Sequence, residues 1–397
     1  MKHLFRTGLL TVAWLLVLPC LIVLLSAIFP VVPTVRVYLV DIVPNHAPWL
    51  LIWSLLGLSA AVLAHRRKEA LSSRAPMAAG TIAVLLAAGV TAHLSYVAIQ
   101  NGARINLVKA LSWRHFSESA APDETHVYSR PGGEALSLDV YRGRRERPDA
   151  LTPVVMFIHG GGFSKGSRTF GAANMRWYAN HGWTVISIDY RLARDDRPTW
   201  NLANRDVECA LAWTAEHAGA LGLDLHRLTI SGTSAGGSLA MAAAYAADTG
   251  RADPQCGPHV PHVAAVVMKV PLVDAIGSWN LPRELQPIQQ RVLTRYIGGS
   301  PTQFPDRYAA LNPARYLKGP LPPTLIISGS DDPLVPPQGA AEFVRAARAS
   351  GHDVQRIVFP YSGHEFNTTY GAITNQATQQ IVANFLRAHD GTPTTQR

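Results

Sequence analysis

At 397 residues the chain is longer than the commonest single domain, so a globular domain plus a further region is expected. Hydrophobic residues make up 48% and charged residues only 16%, which points to a membrane environment for part of the chain. Residues 1–115 hold ten Lys and Arg against only Asp41 and Glu69, and so carry +8 of the net +9. That excess lies between apolar runs, as a topology signal does, and no basic patch with interleaved aromatics argues for nucleic acid.

Three apolar runs come first, and residues 1–100 are read as a membrane region. Leu9–Phe29 carries no charge and is long enough to cross about 30 Å of hydrocarbon at 1.5 Å per residue. A second helix is expected over about 46–64, with Trp49 and Trp53 as interfacial anchors, and a third over about 78–99. Lys2 and Arg6 resemble the start of a signal peptide. The first apolar stretch is longer than such peptides use and two more runs follow, so retained spans are expected. Arg66, Arg67, Lys68 and Arg74 crowd the second connection, and with Lys2 and Arg6 they mark the cytoplasmic side. Three crossings then leave everything after about residue 100 outside the cell membrane. Arg104, Lys109 and Arg114 oppose this, and the short second run is its weak point: if that run does not span, the remainder lies inside.

Residues 101–124 read as an amphipathic connector near lipid headgroups, a plain linker helix being the alternative. From Thr125 the pattern changes. HVYSR and ALSLDVYR alternate apolar and polar residues around a Pro-Gly-Gly turn, which marks a β-hairpin. Short β-branched runs follow at 153–159, 184–190, 228–232, 263–270, 324–329 and 354–360, with helical patterns near 201–217, 235–247, 337–349 and 376–388. Strands alternating with helices predict a mostly parallel, doubly wound α/β sheet over 125–390, with 391–397 as a tail. Cys20 lies in an apolar run, Cys209 on a helix and Cys256 in a loop. A Cys209–Cys256 bridge would need an oxidising compartment, and buried free thiols are the commoner outcome.

The strongest local pattern is Gly232-Thr233-Ser234-Ala235-Gly236, at the end of the strand LTISG and the start of an Ala-rich helix. A Ser between glycines recurs by chance, but that junction makes it a nucleophile elbow: the turn admits only tiny neighbours and lifts the hydroxyl above the sheet. His159-Gly160-Gly161-Gly162-Phe163 follows the strand PVVMFIH. Three glycines free backbone N–H groups to converge on an anion, as the tetrahedral intermediate of acyl transfer requires. The expected donors are the N–H groups of Gly161, Gly162 and Ala235. A phosphate loop is disfavoured, because neither Walker spacing nor GxGxxG is present. A nucleophilic Ser needs a base and an orienting acid, in the order Ser, acid, His. Ser330-Asp331-Asp332-Pro333-Leu334 follows the strand TLIISG, and Gly363-His364-Glu365-Phe366 follows RIVFP. Each alone would pass for a turn residue or a structural His. Order and strand placement together give the triad Ser234, Asp332, His364.

HGGGF, DYRLA (189–193), GTSAGG and the DPL…GHEF pair resemble the hormone-sensitive-lipase-like branch of the α/β-hydrolases, bacterial esterases and lipases included, over roughly residues 125–390. The resemblance implies the α/β-hydrolase fold with a cap. It makes Asp332, the Asp before Pro-Leu, the acid and Asp331 its neighbour, and implies that Asp189 and Arg191 stabilise the glycine loop. Thr233 departs from the Asp usual before the nucleophile. The branch's N-terminal cap helices are replaced here by the membrane segments, leaving about 274–318 as cap. Phe163 and Trp200 are candidates for the acyl pocket, against a plain core role.

The expected reaction is hydrolysis of a carboxylic ester through an acyl-enzyme, needing no metal or organic cofactor, with an ester or lipid as substrate and the bilayer as partner. The same machinery would serve for an amide, a thioester or a sugar acetate. A catalytically silent membrane-anchored binding protein is the other alternative, and retention of every element argues against it.

Overall fold

The computed structural model of the protein describes residues 2–29, 39–66, 72–111, 120–252, 256–257, 260–282 and 285–389. The chain forms two compact units. The first comprises Met1–Ser117, Gly329–Asp331 and Phe359–Ile381; the second comprises Glu118–Ser328, Asp332–Val358 and Val382–Arg397.

The first unit holds three long helices, α1 (Lys2–Ile28), α2 (Ile42–Arg66) and α3 (Arg74–Gln100). All three are long and apolar enough to cross a membrane. The second apolar run is thus longer than its sequence suggests. Helix α2 has 25 residues, with a break at His46 (φ −135°, ψ 17°). The helix beyond that break still spans about 30 Å at 1.5 Å per residue. Small residues let the helices approach: a Cβ on Gly57 of α2 would lie 2.6 Å from Val17 of α1, and one on Gly80 of α3 would lie 3.1 Å from Leu58. Close backbone approach of this kind drives helix association where no hydrophobic effect operates. The expected headgroup connector is only partly visible, because 112–119 lie outside the described residues.

An eight-stranded sheet of order β1-β2-β4-β3-β5-β6-β7-β8 forms the second architectural element. Its strands are β1 (Glu124–Ser129), β2 (Leu136–Tyr141), β3 (Thr152–Ile158), β4 (Thr184–Ile188), β5 (Leu223–Thr233), β6 (Ala265–Lys269), β7 (Thr324–Gly329) and β8 (Val354–Phe359). Strand β2 runs antiparallel to β1 and β4, and the β4–β3–β5–β6–β7 pairs are parallel. The longer helices between strands β3 and β6 are α4 (Ala172–Asn180), α5 (Ala203–Glu216) and α6 (Ala235–Asp248). Three helices follow between β6 and β7, α7 (Ala275–Trp279), α8 (Gln286–Ile297) and α9 (Pro305–Leu311), and then α10 (Pro337–Ala349) and α11 (Ile373–His389). Consecutive residues of β3 (Val154 to Ile158) are all buried. Parallel strands covered on both faces read as such continuous apolar runs, each side chain contributing about 1.5–3 kcal/mol.

Cys209 and Cys256 form a disulfide, with Cα atoms 5.1 Å apart. The commoner outcome, two free thiols, does not hold. Cys256 sits in a loop that reaches the buried Cys209 of α5, a non-local approach that composition does not reveal.

Candidate active site

The register of the central strands brings two glycine-rich segments together. Ile158 of β3 pairs with Gly232 of β5, so His159-Gly160 and Thr233-Ser234 leave the sheet side by side. A Cβ on Gly160 would lie 3.0 Å from Thr233 O and 3.3 Å from Ser234 Cβ, so the glycine loop roofs the elbow. Ser234 has φ 54°, ψ −122°, a conformation rare for a residue with a side chain. Such a residue costs about 1–3 kcal/mol and persists only where its surroundings dictate it. Here they do. Ser234 N–H donates to Lys269 O at 2.8 Å, and a Cβ on Gly236 would lie 2.2 Å from Ile158 O. Helix α6 starts at Ala235, so its unpaired first-turn N–H groups and positive dipole end begin at the serine.

Gly161 adopts φ 116°, and a Cβ there would meet Lys165 O at 2.2 Å. Ser164 and Lys165 donate their N–H groups back to Gly161 O, closing the loop on itself. Below it His159 is buried, its Nδ1–H donating to Gly160 O at 2.7 Å, its ring stacked on Tyr190 at 4.4 Å. Burial holds the imidazole below its ordinary value, against the raising effect of that hydrogen bond and of Asp189, so it is a neutral strut. Asp189 anchors the far end of the loop, accepting from Arg168 N at 2.8 Å and Arg168 Nη1 at 2.7 Å. Arg168 also pairs with the buried Asp139 at 2.9 Å. Arg191 does not brace the glycine loop as the resemblance implies. It pairs with Asp206 on α5 at 2.7 Å and so ties its own segment to that helix. No sequence motif points to Arg168 or Asp139, which are separated by 29 positions and meet only through the sheet.

Phe163 is buried and stacked on Tyr296 of α8 at 3.6 Å, and Trp200 packs against the same core cluster. The core role therefore describes both. Val292 of α8 approaches the glycine loop: a Cβ on Gly162 would touch it at 3.4 Å. Thr233 is buried, and its Oγ1 has no hydrogen-bond partner among the described residues.

Asp332 follows β7. It is 5% exposed, and its Oδ1 accepts N–H groups from Leu334 at 2.9 Å and Val335 at 2.8 Å. Asp331, more exposed, accepts from Ser330 Oγ at 2.5 Å. His364 follows β8 by five positions and is 8% exposed.

A mostly parallel sheet with one antiparallel strand near its edge, and a strained serine at the turn from a central strand into a helix, defines an α/β-hydrolase. The chain belongs to the BD-FAE family, whose model matches residues 138–346, more than half of its length. It is 32% identical over 262 residues to esterase LipC of Mycobacterium tuberculosis, covering 64% of this chain. That alignment takes in only 62% of LipC, and the chain spans less than two thirds of the relatives LipC, LipQ and LipM. The ethyl acetate hydrolase of Pseudomonas putida is 30% identical over 256 residues, covering 63% of this chain and 77% of that protein. In fold the chain is similar to the Est2 esterase of Thermogutta terrifontis in its propionate-bound structure. There the TM-score is 0.55 at 24% identity, with 69% of this chain and 96% of that one covered.

Proposed function

We propose that the protein is a membrane-anchored serine hydrolase of the hormone-sensitive-lipase-like branch that cleaves carboxylic esters, with residues 125–390 as its catalytic domain. The observation that carries this reading is the backbone of Ser234, held at positive φ under a loop of three glycines. Strain of this kind, held in place by its surroundings, clusters at active sites. The esterase and ester-hydrolase names of the relatives support the same chemistry.

On this reading His364 takes the proton of Ser234 Oγ as the oxygen attacks the ester carbonyl. Asp332 accepts the other ring N–H and holds the tautomer. The former carbonyl oxygen, now negative, receives hydrogen bonds from the N–H groups of Gly161, Gly162 and Ala235. His364 then hands its proton to the leaving alcohol. Water repeats the sequence on the acyl-enzyme, releasing the acid and restoring Ser234.

The catalytic domain is assigned to the extracytoplasmic face, and two observations support it. A disulfide belongs to oxidising compartments. In the first unit, the start of α2 and the residues just after α3 both hydrogen-bond to the stretch 359–381, so an even number of crossings separates them. With the 65–74 loop cytoplasmic by its charge, both ends lie outside. Alkaline phosphatase fused after Arg397 is expected to be active, and a silent fusion would reverse the assignment.

The test of the chemistry is turnover of p-nitrophenyl esters from acetate to palmitate by the wild type and Ser234→Ala. Loss of several orders of magnitude with the fold intact is expected. Retention of a tenth of the activity would refute the nucleophile.

A further inference from the structure

The segment that carries His364 belongs to the same compact unit as the three long helices. Its backbone is gripped by residues more than 300 positions earlier. Glu365 N–H donates to Asp41 Oδ2 at 3.0 Å, and Glu365 O accepts from Asn45 Nδ2 at 2.8 Å. Asn45 Oδ1 accepts from Thr369 N–H at 3.0 Å, and Asn45 Nδ2 also reaches Asp41 O at 2.7 Å. On the other side of the histidine, a Cβ on Gly363 would lie 2.5 Å from Val40 Cγ1 and 2.8 and 2.9 Å from the Asp41 carboxylate oxygens. Position 363 therefore rests directly on Val40 and Asp41, and a side chain there would have to displace them. Thr374 Oγ1 adds a bond to Pro44 O at 3.1 Å.

Both peptide neighbours of His364 thus touch one short stretch, Val40 to Asn45, ahead of the break at His46 in α2. Val40 is 0% and Asn45 5% exposed, so water competes little for the Asn45 contacts, whereas the Glu365–Asp41 bond lies nearer the surface. Asn45 uses its acceptor once and its donors twice, which holds its amide in one orientation. The bond to the Asp41 carboxylate is of the stronger, charge-assisted kind.

We propose that Asp41 and Asn45 are positioning residues for the general base: the residue just before the second membrane helix and that helix's first turn set where His364 stands. The proposal rests on the reading of His364 as that base. Displacing a catalytic group by about 1 Å costs on the order of 100-fold in rate. The membrane region then serves as a working part of the enzyme as well as its anchor.

The test uses the full-length protein in detergent, with kcat and KM on the p-nitrophenyl ester the wild type turns over fastest. Asp41→Ala and Asn45→Ala should lower kcat by roughly 10- to 100-fold with KM within about threefold, and slow fluorophosphonate labelling of Ser234 in parallel. Two isosteric variants guard against misfolding and carry opposite expectations. Asp41→Asn keeps an acceptor for Glu365 N–H and should recover most of kcat. Asn45→Asp sets a carboxylate oxygen against the carbonyls of Asp41 and Glu365 and should lose at least about tenfold. If Asp41→Ala, Asn45→Ala and Asn45→Asp all keep kcat within about twofold while Ser234→Ala and His364→Ala are inactive, the positioning role is overturned and the hydrolase reading stands. If His364→Ala keeps its activity, the hydrolase reading fails first.

Discussion

Around Ser234, the backbone is held by the sheet and its adjoining turns. Gly236 lies against Ile158 and His159, Gly160 against Thr233, and the Ser234 N–H is held by Lys269 of the next strand. Around His364 the turn after β7 contributes, with Asp331 N–H donating to Ser362 O at 2.9 Å, but Val40, Asp41 and Asn45 join it from the far side of the sequence. A turn built from neighbouring strands announces itself as a motif. A segment held by a distant helix does not, because the partners share no spacing.

The widest separation between the two kinds of support is expected at the acid. Asp332→Asn should lower ester hydrolysis by about 10,000-fold, as loss of the carboxylate behind a catalytic His does. Asp331→Asn should cost far less, because Asp332 is the carboxylate anchored by the Leu334 and Val335 N–H groups. Kinetics on the two variants side by side decide it, and a larger loss at Asp331 reverses the assignment. Next in size is Gly236→Ala. Its Cβ would be driven to 2.2 and 2.3 Å from the carbonyl oxygens of Ile158 and His159, which cannot yield without moving the glycine loop. Activity should fall at least about 100-fold, in line with a displaced catalytic centre. A near-normal rate would mean that the elbow is less rigid than its packing implies.

The smaller effect is on stability in the first unit. Gln376 Oε1 accepts from Asn106 N–H at 2.9 Å, and its Nε2 donates to Asn106 O at 3.0 Å and Gly371 O at 2.6 Å. Gln376→Leu strands these groups, and each buried unpaired one costs about 1–3 kcal/mol. Thermal unfolding in detergent should shift down accordingly. An unchanged transition would mean that Gln376 does not help to hold the segment 359–381.

Much of this architecture is legible in the amino-acid sequence. The runs at 324–329 and 354–360 match β7 and β8 to within a residue, and the pattern at 235–247 matches α6. Continuous β-branched stretches and an Ala-rich helix are strong local signals. Strand β5 starts five residues earlier than its apolar run, because Leu223 and Asp224 pair with Thr152 and Pro153 across a register shift. Helix α4 (AANMRWYAN) is short and weakly patterned, and its sequence does not announce it. The HGGGF and GTSAGG motifs locate the glycine loop and the elbow. The Arg168–Asp139 and Arg191–Asp206 pairs are hidden, and the Cys209–Cys256 bridge is undecided, for one reason: each joins residues that only the folded chain brings near. Asp41 illustrates the limit best. In the sequence it is one of two acidic residues among basic ones, a small offset in a charge balance, and in the fold it touches both sides of His364.

The most direct measurement is to label the full-length protein with a fluorophosphonate and locate the adduct by mass spectrometry. A single adduct on Ser234, absent from Ser234→Ala, is the predicted result. An adduct on another residue, or none on protein that is folded, would contradict the assignment of Ser234 as the nucleophile.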